Sequence, residues 1–429
     1  MSITVVCGTN WGDEGKGRMV DYLAQEADIV VRYQGGNNAG HTIVNNLGTF
    51  KLHLVPSGIF YSKIKNVLGP GMVVDIESIV DEIQSLSAAG IDTENIFISD
   101  RATICFPFNR LEDVWEEERL GKNAFGSTRR GIAPAYGDRY MKKAIQIGEL
   151  LNWTSFQQKL AHILEWKKLL NSGLPQYEKM PTYDEMLDWS STFGDQIKGR
   201  ICNTTDLLED GVRSNQNILF ESQLGALRDI YFGIYPFTTS SCTLADFVSI
   251  GGGLFSKAPE RIVGVMKAFS TCVGEGPFPT EIHGSDADTL RTTADEYGAT
   301  TGRPRRIGHF DAFASSYGTK LQNASEIALT KLDSLSGQKN LLICTDYEVN
   351  GNRLRNFPLT CTADIHPVYT EVSGWDDEIT NCRRFIDLPV AAQNYVLTIE
   401  RLIGCRIRYV SVGAKRDQII DRSLDGKTS

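Results

Sequence analysis

The sequence lacks the paired cysteines that mark a disulfide scaffold or a structural zinc site. Its nine cysteines are odd in number and scattered, without a CxxC pair, and this predicts reduced thiols in a reducing compartment. Apolar runs of about 18 residues, the length of a membrane helix, are missing. A basic stretch followed by an apolar one is missing from the N-terminus. We therefore expect a cytoplasmic protein without a membrane span.

The sequence also has no excess of positive charge. Its 44 lysines and arginines stand against 53 aspartates and glutamates, which gives a net charge of −9. This excludes a global basic field for nucleic acid or for an anionic membrane. Anionic substrates must therefore be met by local clusters of lysine and arginine. With 429 residues, 41% of them hydrophobic, the chain can bury the large core of a soluble enzyme.

Short apolar runs alternate with segments of helical spacing along the chain. Helical spacing covers residues 76–86 and 156–164, and residues 42–44 and 50–54 predict a hairpin. The runs that predict buried strands are residues 3–7, 29–31, 218–220, 262–265, 327–329, 341–344 and 407–410. The alternation predicts an α/β fold with a mainly parallel central sheet, surrounding helices and small subdomains.

Two glycine-rich turns, GTNWGDEGKG from Gly8 and QGGNNAGH up to His41, flank the second predicted strand and the helix before it. Glycines let backbone N–H groups close on an anion, and Lys16 adds a flexible cation. The helix that follows the first turn points its N-terminus at the same place. Together these features predict a phosphate site.

The first turn is not a Walker A loop. Its glycine spacing is too long, and Gly17 stands where that motif needs a hydroxyl to hold magnesium. Asp13 is the obvious oxygen donor in its place, and it can serve either as metal ligand or as general base. His41, in a flexible turn, can donate to an oxygen as charge develops on it.

Five motifs, WGDEGKG, VRYQGGNNAGH, GPFPTE, EYGATTGR and TKLD, occur in this order. They closely resemble adenylosuccinate synthetases, which condense IMP with L-aspartate at the expense of GTP. The resemblance runs from Val5 to about Ile420. It implies one large domain over residues 1–429 with a helical subdomain around 151–210, Mg²⁺ as cofactor, and a homodimer with shared active sites.

The resemblance also implies a mechanism. Asp13 would remove the N1 proton of IMP, so that O6 attacks the γ-phosphorus of GTP and gives 6-phosphoryl-IMP. His41 would stabilise the transferring phosphoryl group, with Lys16 as a further catalytic residue. Magnesium would be held by the Asp13 carboxylate and the Gly40 carbonyl. The amine of aspartate would then displace phosphate at C6.

The guanine preference can be argued from Asp333 in the TKLD motif. Its carboxylate can accept from both N1–H and the N2 amino group of guanine, whereas adenine would leave it unpaired, so the site rejects ATP. The other residues that the resemblance places at GTP are Gly12, Glu14, Gly15, Lys16, Gly17, Thr42, Arg305, Lys331, Ser411 and Gly413.

The segment from Gly298 to Arg303 resembles the loop that captures L-aspartate, through two hydroxyls and a guanidinium suited to a carboxylate. Its predicted aspartate ligands are Thr300, Thr301 and Arg303. The predicted IMP ligands are Asn38, Thr128, Lys142, Gln223, Thr239 and Arg303. Lys142 stands where the family has an arginine donated by the neighbouring subunit.

Departures from the family pattern concentrate near the acceptor base. The family's FEGAQG appears here as FESQLG, so that Leu224 replaces a glutamine that faces the purine and Gln223 precedes it. Phe232 and Asn37 replace histidines, and Pro304 replaces an arginine. Either Gln223 reaches the base after a backbone shift, or the accepted purine differs from IMP. Two alternatives therefore accompany the synthetase: a paralogue that joins aspartate to another 6-oxopurine nucleotide, and a GTP-binding protein without synthetase activity.

Overall fold

The computed structural model describes residues 1–45, 47–174, 176–298, 302–358 and 364–423, with the side chain of Tyr177 left out. The strands within these ranges are β1 (Ile3–Gly8), β2 (Ile29–Arg32), β3 (His41–Asn45), β4 (Gly48–Leu52), β5 (Lys65–Leu68), β6 (Val73–Val74), β7 (Ile96–Ser99), β8 (Thr103–Ile104), β9 (Ile201–Cys202), β10 (Ile218–Gly225), β11 (Arg261–Lys267), β12 (Ser270–Cys272), β13 (Arg306–Gly308), β14 (Phe310–Asp311), β15 (Glu326–Thr330), β16 (Gln338–Val349), β17 (Asn352–Arg353), β18 (His366–Trp375), β19 (Ile407–Ser411) and β20 (Ile419–Asp421).

The α-helices within the same ranges are α1 (Lys16–Leu23), α2 (Ile76–Ala88), α3 (Pro107–Leu120), α4 (Ile132–Tyr140), α5 (Trp153–Asn171), α6 (Tyr183–Ile197), α7 (Thr204–Arg213), α8 (Val248–Gly252), α9 (Ser285–Thr293), α10 (Ala312–Leu321) and α11 (Val390–Ile403). Within the described ranges, no helix combines the length and apolar character that crossing a membrane requires.

The described residues form a central sheet of ten strands in the order β20-β19-β15-β11-β1-β10-β2-β5-β7-β9. Its strand pairs are parallel except β19 with β20. All residues of β1 are buried, as expected for a parallel strand covered on both faces. The predicted α/β fold with a mainly parallel sheet is therefore confirmed.

The topology brings the functional motifs to one edge of this sheet. β1 pairs with both β10 and β11 in parallel, and β10 and β11 pair in turn with β2 and β15. The carboxyl ends of these neighbouring strands therefore lie side by side, and ligands of parallel sheets bind beyond such ends. The segments that follow these ends carry both glycine turns and the TKLD motif.

The predicted strand at residues 341–344 lies in β16, outside the central sheet. β16 pairs with β14, β17 and β18 in a separate four-stranded sheet, because its pairing is set by the long antiparallel register with β18, which the local apolar pattern does not encode. The other predicted strands, the hairpin β3–β4 and the helices α2 and α5 form where the sequence predicts them.

The segment predicted as a helical subdomain contains α5, α6 and α7. Phe156 and Leu160 of α5 and Met186 of α6 share a hydrophobic cluster with Ile79 of α2. These helices thus pack on the flank of the central sheet. The division of the chain into one domain with this subdomain stays a prediction.

Candidate functional site

The first glycine turn is held by the buried side chain of Glu14. Its Oε1 accepts from the backbone N–H groups of Asn10 at 3.1 Å and Gly12 at 2.9 Å, and its Oε2 pairs with Lys16 Nζ at 2.5 Å. Gly12 and Gly15 have φ values of 105° and 98°, in the region that favours glycine. The turn is therefore ordered around Glu14, at the N-terminus of α1.

The side chain of Asp13, in the same turn, faces a cluster of cations. It has a φ of 56°, and its Oδ2 lies 2.9 Å from Arg305 Nε, with 26% of the Asp13 side chain exposed. Burial opposes ionisation of Asp13, but Arg305, with Lys267, Lys16 and His41 adding to it, outweighs burial and lowers the pKa of Asp13 below its usual value. An accessible carboxylate that stays ionised suits a proton acceptor or a metal ligand.

A buried ion network continues from Asp13 beneath the site. Glu296 Oε2 lies 2.6 Å from Arg305 Nη1 and 2.7 Å from Lys267 Nζ. Burial lowers the pKa of Lys267 to about 8, while Glu296 opposes the shift. Sequence analysis missed both Lys267 and Glu296. Lys267 ends β11, the neighbour of β1, so its position at a strand end was the signal that could have found it.

His41 packs against the start of α1. A Cβ added to Gly17 would lie 2.8 Å from the Cβ of His41, so only glycine fits there. His41 Nδ1 lies 2.5 Å from Glu221 Oε1. Glu221 also accepts from the backbone N–H and the hydroxyl of Ser57, both at 2.7 Å. Burial opposes ionisation of Glu221, but its bonds to His41 and Ser57 and the charge of Arg32 lower its pKa.

Glu221, also missed in the sequence, is a positioning residue for His41. An ionised carboxylate that accepts from Nδ1 fixes the ring and leaves the Nε2–H of the imidazolium as the donor for the reaction. In Glu221→Gln, the amide removes this charge, and we expect kcat to fall by ~10-fold or more, less than the ~10²–10⁴-fold that an acid–base group itself contributes. The measurement is kcat against pH, in which the alkaline limb should also move, because a general acid is inactive once it has lost its proton. Ser57→Ala, which leaves the histidine contact intact, is the control; an unchanged pH profile in Glu221→Gln would contradict this role.

The end of β15, next to the predicted GTP residues Lys331 and Asp333, contacts the glycine turn through Thr330. Thr330 Oγ1 donates to the Glu14 carbonyl at 2.6 Å, and Lys331 Nζ donates to the Ala294 carbonyl at 2.6 Å. Asp333 Oδ1 is buried and has no hydrogen-bond partner among the described residues. Burial raises the pKa of Asp333. An unpaired buried acceptor is costly, so this carboxylate is poised to receive donors.

Arg18, in the first turn of α1, contacts the segment that carries the predicted GTP residues Ser411 and Gly413. Its guanidinium donates to the hydroxyl of Ser411 and, at 2.7 Å, to the Lys415 carbonyl. A Cβ at Gly413 would lie 2.4 Å from Gln418 Oε1, so this turn is tightly closed. Thr42, on β3, has an exposed side chain. Arg18 is a further residue that sequence analysis did not select.

The predicted acceptor ligands are brought together less completely. Gln223 is 1% exposed, and its amide contacts Arg32 and Asn38. Leu224 has a φ of 61°, and its Cδ2 would lie 3.2 Å from a Cβ on Gly12. Leu224, rather than Gln223, therefore covers the glycine turn.

The remaining acceptor and aspartate ligands lie on loops. Thr239 donates its backbone N–H to the Arg228 carbonyl at 2.9 Å, and Thr128 is exposed. Arg303, 60% exposed, pairs with Glu275 at 2.9 Å. Thr300 and Thr301 lie outside the described residues.

Lys142 lies apart from the other predicted ligands. It lines an open cavity of about 490 Å³ together with Arg139, Lys143 and Lys159. Among the described residues, it shares no hydrogen bond or ion pair with either glycine turn. The role of Lys142 therefore stays a prediction.

A magnesium ion fits the donors at the turn. No group of three or more histidine, cysteine or acidic side chains within the described ranges could hold a metal alone. Magnesium, however, usually takes one or two carboxylates together with substrate phosphates. The accessible carboxylate of Asp13, next to a turn built for phosphate, matches that donor set.

Comparison with known proteins agrees with these observations. The family model described as adenylosuccinate synthetase matches residues 5–420. The chain is similar to adenylosuccinate synthetase 2 of Pseudoalteromonas translucida, with 49% identity covering 98% of this chain and 100% of the relative. It is also similar to the adenylosuccinate synthetase of Thermoanaerobacter sp., with 43% identity covering 98% and 99%. The structure of fully ligated adenylosuccinate synthetase from Plasmodium falciparum matches with a TM-score of 0.92 and 33% identity, covering 98% and 100%. The chain thus belongs to the adenylosuccinate synthetase family.

Proposed function

We propose that this protein is a GTP-dependent ligase that condenses IMP with L-aspartate and releases adenylosuccinate, GDP and phosphate. The observation that carries the proposal is the ionised carboxylate of Asp13, held by Arg305 at the glycine turn that begins α1. Family membership supports it, since these enzymes are ligases that form a C–N bond.

In this mechanism Asp13 takes the N1 proton of IMP, so that negative charge develops on O6. O6 then attacks the γ-phosphorus of GTP, the bond to the bridging oxygen breaks, and GDP leaves from 6-phosphoryl-IMP. Lys16, Arg305 and the N-terminus of α1 stabilise the charge on the phosphate oxygens. His41, oriented by Glu221, donates from Nε2 to the transferring group. The aspartate amine then attacks C6, and phosphate leaves.

The predicted ligands are assigned to the three substrates as follows. Asp333, Lys331, Ser411 and Gly413 bind guanine, while Gly12, Glu14, Gly15, Gly17 and Thr42 surround the phosphates. Asn38, Thr128, Thr239 and Gln223 serve IMP. Thr300, Thr301 and Arg303 bind aspartate, with Arg303 also near IMP.

Asp13 and the carbonyl of Gly40 would hold Mg²⁺, which, when bound, neutralises phosphate charge. The cysteines within the described ranges are free, which supports a reducing compartment, the cytoplasm.

We also propose a homodimer in which Lys142 serves the partner's IMP phosphate. Four large side chains, Tyr140, Tyr231, Phe232 and Tyr235, are more than half exposed. A hydrogen bond with Tyr140 raises the pKa of Tyr231, so the segment after α4 that bears Lys142 adjoins an aromatic surface. Exposed apolar patches mark interfaces. A monomeric mass in sedimentation would contradict the dimer.

The test of the function is phosphate release from GTP. We expect release that requires both IMP and L-aspartate and that ATP does not replace. Release with another 6-oxopurine nucleotide but not with IMP would favour the paralogue. GTP binding without release under any combination would favour a protein without synthetase activity.

Leu224 stands where the family has a glutamine that faces the acceptor base. Leu224 covers the turn with an apolar side chain, so the base loses an amide partner worth about 1–3 kcal/mol. We expect a KM for IMP above that typical of the family, and Leu224→Gln should lower it by ~10-fold, the effect of about 1.4 kcal/mol. The measurement is the initial rate against IMP, dIMP and GMP at saturating GTP and aspartate. Leu224→Met, which adds no hydrogen bond, is the control; an equal gain in both variants would contradict the prediction.

A further inference from the structure

The side chain of Gln223 does not pack against the glycine turn of Asp13, and its contacts point to another role. It is 1% exposed and packs against the second glycine turn. A Cβ added to Gly35 would lie 2.1 Å from Gln223 Oε1. The family motif FEGAQG has alanine at this place, which offers no side-chain amide for such contacts.

The contacts of Gln223 fix which end of its amide faces which neighbour. Gln223 Oε1 lies 2.6 Å from Arg32 Nη2 and 3.1 Å from the backbone N of Gly36. A guanidinium and a backbone N–H can only donate. The oxygen of Gln223 must therefore face them, and its Nε2 must face the other side.

Asn38 lies on the side that Gln223 Nε2 faces. Gln223 Nε2 donates to Asn38 Oδ1, so the oxygen of the Asn38 amide is also committed. The Asn38 Nδ2 carries the donors that remain, and no described residue accepts a hydrogen bond from it. Asn38 is partly exposed, whereas Arg32 and Gln223 are buried. One chain of hydrogen bonds thus runs from a buried cation to an amide at the surface of the site.

We propose that Gln223 is a positioning residue that turns the Asn38 amide so that its N–H donors face the 5′-phosphate of the acceptor nucleotide. The proposal rests on the proposed function, in which Asn38 binds that phosphate. A free asparagine can present either its oxygen or its nitrogen, and the oxygen would repel a phosphate. Orientation by Gln223 removes the unfavourable state before the nucleotide arrives.

Gln223→Glu is the decisive variant. A glutamate keeps the acceptor for Arg32 and Gly36, so the fold is retained, but it cannot donate to Asn38. The Asn38 amide should then rotate, donate to the glutamate and present its oxygen to the phosphate. We expect the ratio of inosine to IMP dissociation constants, measured by equilibrium binding, to fall at least ~10-fold. Thermal stability and GTP affinity should stay near those of the parent.

A double-mutant cycle with Asn38→Ala separates this role from simple charge repulsion. Asn38→Ala alone should lower the same ratio, and adding Gln223→Glu should then lower it little further. Gln223→Met, which is uncharged, should follow the same pattern. If Gln223→Glu leaves the ratio unchanged while Asn38→Ala lowers it, or if the two effects add fully, the proposal is overturned and the function stands. If Asn38→Ala has no effect, the phosphate assignment of Asn38 fails together with the proposal.

Discussion

The Asp13→Asn variant is expected to lose at least ~10²-fold in kcat, the lower end of the range for a general base. Asparagine keeps the size of the side chain but neither accepts the N1 proton nor offers an anionic oxygen to a metal. The cations around it, Arg305 and Lys267, would then act on the phosphates without a base. The measurement is phosphate release at saturating GTP, IMP and aspartate.

The variant also removes one partner of Arg305, so a matched control is needed. Glu296→Gln removes the other carboxylate of Arg305, at 2.6 Å, and leaves the proton acceptor in place. We expect it to retain substantially more turnover than Asp13→Asn. Equal losses would mean that Asp13 acts only by holding Arg305. Near-normal turnover in Asp13→Asn would remove Asp13 from the mechanism altogether.

The parts of the fold that were predictable are those in which local sequence decides structure. β1, β2, β10, β11, β15 and β19 are each built around a short, mostly apolar segment, as a parallel strand covered on both faces favours. The strand at residues 341–344 has the same local signal but joins another sheet, since its long antiparallel pairing with β18 is a long-range property. Local pattern does not determine which strands pair.

The candidate site likewise contains residues with a local sequence signal and residues that only long-range packing brings in. Asp13, Lys16 and His41 lie in glycine-rich turns that carry their own signal. Glu221 reaches His41 across 180 residues of sequence, and without the strand order nothing connects the two. The sequence offered Gln223 as an IMP ligand in place of the family's glutamine at position 224, but its amide is held by Arg32, a contact that only the packed structure contains. The family and the α/β fold were predicted correctly, while the site roles stay predictions.

Replacing Asp333 should have the second large effect, on the nucleotide donor. The carboxylate is complementary to two donors of guanine, and hydrogen bonds to charged groups contribute about 1.5–3 kcal/mol each. Asp333→Asn presents a neutral amide instead, so we expect the KM for GTP to rise by ~10²-fold, equivalent to about 2.7 kcal/mol. The KM for IMP should stay near that of the parent, which serves as an internal control.

A loss of GTP binding in Asp333→Asn can be separated from damage to the fold. Burial raises the pKa of Asp333, which means that its charged form is disfavoured in the folded state and that, above the unfolded pKa, the charge costs stability. A neutral asparagine removes that cost, so Tm should not fall while GTP binding does. Xanthosine triphosphate, whose oxygen at C2 can accept from the new amide, should regain part of the lost rate. If Asp333→Asn binds GTP as tightly as the parent does, Asp333 does not recognise the base and the guanine site must lie elsewhere.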